Sequence, residues 1–192
     1  MFHDYITLLL ANMSGGLLVL GLYLLFGAGK EDRRAWSAGF LMPGLVAFIV
    51  GLHMVLAWPI PRLDAGHDLQ WANIAYGEMS VLLGVLFLGG ALSLAKGWSL
   101  APLGAYALAA SAAAVVVGAA IGNAGLSSDA TFTAAGFFLT AGAGVLTAVA
   151  LTDLGGLLSR IIAAAFLVAA SALWAFVAGM AYWGHLGKFA GH

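Results

Sequence analysis

Two ionisable side chains stand in sequence where hydrocarbon is expected. His53 lies in an apolar run that ends at Trp58, and Glu78 in one that begins at Trp71. A bare carboxylate at such a position is costly, so it must be protonated, paired or bound to a cation. An imidazole is its natural partner. His53 precedes Trp58 by five residues and Glu78 follows Trp71 by seven, which places them about 7–8 Å and about 10 Å below one helix end. The second run approaches a membrane surface and the third leaves it, so the two side chains are expected at similar depth.

The five histidines, His3, His53, His67, His185 and His192, all fall on that side of the topology set out below. Two imidazoles, His53 and His185, with the Glu78 carboxylate suit a divalent transition metal such as zinc, iron or copper. Asp4, Asn12 and Asn73 are candidate supporting groups, and water can complete the shell. Arg62 and Lys188 stand close enough in sequence to neutralise nearby acids. The competing reading is structural: a His53–Glu78 hydrogen bond that locks two helices together. A haem held axially by His53 and His185 fits less well, because the histidines differ in depth and the carboxylate has no role. Met54 and Met79 adjoin the candidate ligands, but helix neighbours point about 100° apart, so both read as packing. His3, His67 and His192 read equally as solvated residues.

The elements that must position these groups follow from composition. Of the 192 residues 63% are hydrophobic and 8% charged, with a mean hydropathy of +1.03. A soluble domain carries about a quarter charged residues, and a chain of this size cannot hide so much apolar surface from water. A water-soluble enzyme and a disordered tail are excluded. Seven Lys and Arg against eight Asp and Glu leave no basic stripe for nucleic acid. The absence of cysteine removes disulfides and thiolate metal sites.

A membrane helix needs about 20 mostly apolar residues. Six stretches qualify, at about 5–28, 35–58, 71–96, 102–122, 131–151 and 160–183. Their apolar runs are continuous rather than alternating, which argues against a barrel. The first lacks a basic leader and is too long for a cleaved signal peptide. The expected fold is an all-α integral membrane protein, a single domain over 1–192, built as a six-transmembrane-helix bundle with a polar pocket opening outward. Lys30, Arg33, Arg34, Lys96 and Arg160 lie in the loops of one side, and Arg62 and Lys188 on the other. By the positive-inside rule the first set is cytoplasmic. Both termini and the Pro59–Gln70 loop are then extracytoplasmic, in a plasma membrane. Trp58, Trp71 and Trp183 are expected as aromatic anchors at that interface.

Small residues let membrane helices approach closely. Gly118 and Gly122 form a GxxxG pair that reads as packing within the bundle. Thr133, Thr140 and Thr147 recur at seven-residue spacing and read as interhelical hydrogen-bonding groups. Pro43 predicts a kink in the second helix. Asp129, with Ser127 and Ser128, is a candidate N-cap for the fifth. No nucleotide loop, HExxH, CxxCH or GxSxG motif is present.

Four stretches carry a family resemblance: Asp4–Met13 (DYITLLLANM), Gly51–Met54 (GLHM) with Trp58–Pro61 (WPIP), Asn73–Glu78 (NIAYGE) and Ala181–Leu186 (AYWGHL). In composition and order they resemble a family of small bacterial and archaeal polytopic membrane proteins, domain-of-unknown-function family 981, over nearly the whole chain. The resemblance implies that the distinctive motifs hold Asn12, His53, Glu78 and His185. It implies no activity. The Arg62–Trp71 loop is longer than the resemblance implies. The expected function is an intramembrane metal site near the outer surface, used in redox chemistry or metal handling. The rivals are a haem- or quinone-linked subunit of a respiratory complex and a transporter of protons or small solutes. Beyond the lipid bilayer, a homo-oligomer or a larger membrane complex is the expected partner.

Overall fold

The computed structural model describes residues 5–57, 70–152 and 155–189. All of its regular elements are helical, and six helices are long and apolar enough to cross a membrane: Tyr5–Gly27, Arg34–Leu56, Asn73–Lys96, Ala101–Ala124, Ala130–Ala150 and Leu157–Gly187. Only helices satisfy their own backbone in lipid without a closed barrel. An even number of spans puts both termini at one end of the bundle. The turns Gly97–Ser99 and Gly29–Arg33 lie at the other end.

The boundaries follow local chemistry. The second helix ends at Leu56, before the Pro59–Pro61 pair whose rings cannot continue it. The third stops at Gly97, at φ 71° in the left-handed region, and the fourth at Gly125, at φ 63°; both are positions where glycine alone is unstrained. Asp129 caps the fifth helix, its carboxylate accepting from the Phe132 amide at 3.0 Å, as the sequence implies. The sixth helix is longer than expected. It continues unbroken to Phe189, 33 residues in all, or about 50 Å against a hydrocarbon layer of about 30 Å. Beyond Trp183 the helix breakers before Phe189 are Gly184 and Gly187, and these are too isolated to stop it.

Each span packs on its neighbours in sequence and the sixth returns to the first, which makes a ring. Span two and span three form the tightest seam. A Cβ on Gly51 would lie 2.9 Å from the Gly77 carbonyl, one on Gly44 3.0 Å from the Leu88 amide, and one on Gly84 2.6 Å from the Phe48 amide. Glycine at these sites is what lets the two backbones touch. Gly118 and Gly122 pack on Ala134 and Phe137 of the fifth span, within the bundle as expected. The first and sixth spans are clamped by two serines: Ser14 Oγ donates to the Ser171 carbonyl at 2.9 Å, and Ser171 Oγ to the Ser14 carbonyl at 2.8 Å. Spans three and four make the sparsest joint.

Of the three threonines on the fifth span, two bond between helices. Thr140 Oγ1 accepts the Trp174 indole N–H at 2.8 Å and donates to the Gly136 carbonyl. Thr133 shares a side-chain hydrogen bond with Tyr76 of the third span and also pairs with Ser127 in the preceding turn at 2.9 Å. The Thr147 hydroxyl, buried, has no hydrogen-bond partner among the described residues.

Candidate functional site at the terminal end of the bundle

His53 occupies the last turn of the second helix on the stripe Gly39, Pro43, Val46, Val50, His53. That stripe faces the first helix: Gly39 meets Val19, and the Pro43 carbonyl accepts the Asn12 side-chain amide at 3.0 Å. A proline beside an asparagine is thus a brace between two helices, and Asn12 spends its donor on it. At the end of the same stripe His53 Nε2 meets the Tyr5 hydroxyl at 3.0 Å, with ring centroids 5.4 Å apart. Tyr5 is the site residue that sequence reasoning passed over. Its signal was its place at the start of the first helix, level with the end of the second.

Glu78 closes a π-helical segment, Asn73–Glu78, that opens the third span. Such wide turns are rare and often mark functional positions. A Cβ on Gly77 would come 2.7 Å from Asn73 Oδ1, so a side chain there would have to displace the Asn73 amide. Asn73 is buried, and its Oδ1 has no hydrogen-bond partner among the described residues. Next to it Tyr76 begins a ladder of rings, with Phe137 at 6.0 Å and Trp174 a further 5.5 Å on. Glu78 itself is exposed, on the outward face shared with Ile74 and Val85.

The seam fixes the relative height of the two candidate donors. Gly51 and Met54 both pack on Gly77, the residue before Glu78, so His53 and Glu78 stand at one level on adjacent helices. The imidazole turns to Tyr5 of the first span, and among the described residues no hydrogen bond or ion pair joins it to Glu78.

His185 is carried by the extended sixth helix on the face of Trp174, Ala178 and Ala181, partly buried. The Ser14–Ser171 clamp sets its height. Nine residues outward from each serine are Tyr5 and Met180, so His185 lies five residues, about 7–8 Å, beyond Tyr5. The structure therefore brings His53 and Glu78 level and leaves His185 higher. Among the described residues no group of three or more His, Asp or Glu side chains gathers as a metal cage. Trp71 sits partly buried 6.0 Å from Tyr76, and Trp183 is 82% exposed. Asp4, Trp58, His3, His67 and His192 lie outside the described residues.

Comparison with curated proteins and with solved structures finds no match. A family model, protein of unknown function (DUF981), matches residues 1–188. That match takes in all six spans together with Tyr5, Asn12, His53, Glu78 and His185, and the chain belongs to the DUF981 family.

Proposed function

We propose that this protein binds a divalent transition metal at the extracytoplasmic surface of the plasma membrane, with the exposed His53 and Glu78 as two donors at one level and His185 as a third donor reached from above. The observation that supports it is the packing of Gly51 and Met54 on Gly77, which sets an imidazole and a carboxylate level on adjacent helices at one end of the bundle. Their types suit zinc, iron or copper. Tyr5 then has a defined part. With its proton on Nε2, the His53 ring donates to the Tyr5 oxygen and keeps the Nδ1 lone pair for a metal, the usual way an outer partner orients a ligating histidine. The Cβ of a helical residue tilts toward the N-terminus, so His185 leans back toward the level of His53. Two or three protein donors with water in the remaining positions make an open site, suited to metal handling or redox exchange rather than to a closed structural role.

The test is metal analysis of detergent-purified protein. Wild type is expected to hold about one metal ion per chain after loading with zinc, iron or copper and dialysis. His53→Ala and Glu78→Gln should lose it, while His185→Ala should weaken it. Wild type without stoichiometric metal, or full retention by both His53→Ala and Glu78→Gln, would overturn the reading.

A further inference from the structure

The ring of spans encloses an apolar chamber of about 130 Å³, partly open to the outside, to which every span contributes. Its wall includes Met13, Phe40, Leu83, Ala107, Phe137 and Leu167, one from each span. It extends along the fifth span from Phe137 past Thr147 to Leu151 at the helix end, fourteen residues or about 21 Å. That is about two thirds of a hydrocarbon layer of about 30 Å. It is narrow, long and almost wholly hydrocarbon-lined. Such a space excludes water and takes apolar guests, and left empty it forfeits dispersion contacts on every wall.

A second observation concerns one end of this chamber. Thr147, one turn from the end of the fifth helix, lines it, is 4% exposed and has no partner for its hydroxyl among the described residues. The other hydroxyls on the wall are engaged: Thr140 with Gly136 and Trp174, Ser111 with the Ala107 carbonyl at 2.8 Å. An unpaired hydroxyl in such surroundings costs about 1–3 kcal/mol, a cost that a polar group on a guest removes. Thr147 lies at the end of the bundle opposite His53, while the far end of the chamber reaches Met79, next in sequence to Glu78, whose own side chain is on the exposed face.

We propose that the chamber binds one hydrocarbon chain of a membrane lipid, acyl or prenyl, with its hydrogen-bonding terminus at Thr147 and its tail running toward Met13 and Met79. The chain enters from the bilayer between spans three and four. These touch at Gly89 and Leu103 near their shared turn, and beyond that contact Leu83 and Leu86 face the chamber from one side and Ala107 and Ala110 from the other.

Delipidated protein in detergent is titrated with cis-parinaric acid, a fluorescent polyene fatty acid. Wild type should bind it saturably at about one per chain. Ala107→Phe and Ala110→Phe fill the chamber and should abolish binding. Ala109→Phe, on the exposed face of the same helix, should leave it unchanged. Thr147→Val keeps the shape, removes the hydroxyl and should weaken binding about two- to tenfold. Thermal unfolding of each variant reports its fold, and Ala107→Ile is a milder filler where phenylalanine prevents folding. Displacement by oleic acid assigns an acyl guest, and displacement by geranylgeraniol a prenyl one. Absence of saturable binding in wild type, displacement by neither competitor, wild-type binding by folded chamber-filled variants, or no effect of Thr147→Val would overturn the proposal.

Discussion

The Tyr5–His53 contact shows how one hydrogen bond redirects a side chain. An imidazole in the last turn of a helix has a choice of partners, and here the phenol of the first span holds it 3.0 Å away while the Glu78 carboxylate stays on an outward face. If Tyr5 orients a metal ligand, Tyr5→Phe should weaken zinc binding about tenfold without changing the melting temperature, as a zinc titration beside a thermal melt would show. The same reasoning applies to Trp174, which is wholly buried and donates to Thr140. Trp174→Phe keeps most of the packing and should cost about 1 kcal/mol. Trp174→Ala empties the space and should cost about 3–5 kcal/mol. Unfolding of detergent-solubilised protein distinguishes the two. The cost and depth of His53 and Glu78 were legible in the sequence. Which way each side chain turns was not, because helix phase at this end is reset by the π segment and by a partner on another span.

At the scale of the element, the seam between spans two and three is the most exacting contact. Gly84→Leu would drive a side chain into the Phe48 backbone, where even a Cβ meets an atom at 2.6 Å. It should destabilise the protein by about 1–3 kcal/mol or more. Gly15→Ala, which meets nothing within 4 Å, should be near neutral, and thermal unfolding of the two variants checks the contrast. The sixth helix teaches the converse lesson. Its expected end at Trp183 rested on hydropathy, which marks where hydrocarbon stops. Helix continuation is decided by backbone bonding and propensity, and Ala181–Phe189 contains nothing strong enough to break it.

For the whole molecule, even span number joins the two termini at one end of the ring, and the orientation proposed from the cation bias, with that end outside the cell, is open to a direct test. The chain has no cysteine, so single cysteines report topology directly. Ser128→Cys should react with a membrane-impermeant maleimide on intact cells, and Ser99→Cys only after the membrane is opened. The reverse pattern would invert the orientation and move the proposed metal site to the cytoplasm. At the centre of the ring lies an apolar chamber that the sequence did not predict. Inside a bilayer there is no hydrophobic drive to close such a space, since lipid tails are as apolar as the helices.

Six spans, their turns, the capping of the fifth helix and the small-residue packing are written in the sequence, because each depends on residues near one another in the chain and on the demand of lipid for satisfied backbones. The family resemblance too was carried by short local motifs. The ring closure by Ser14 and Ser171, the Tyr5 partner of His53 and the unpaired Thr147 on a hydrocarbon chamber were decided by the tertiary structure. Each is a meeting of side chains from helices far apart in sequence or a gap between them, and phase and seam packing in three dimensions determine both.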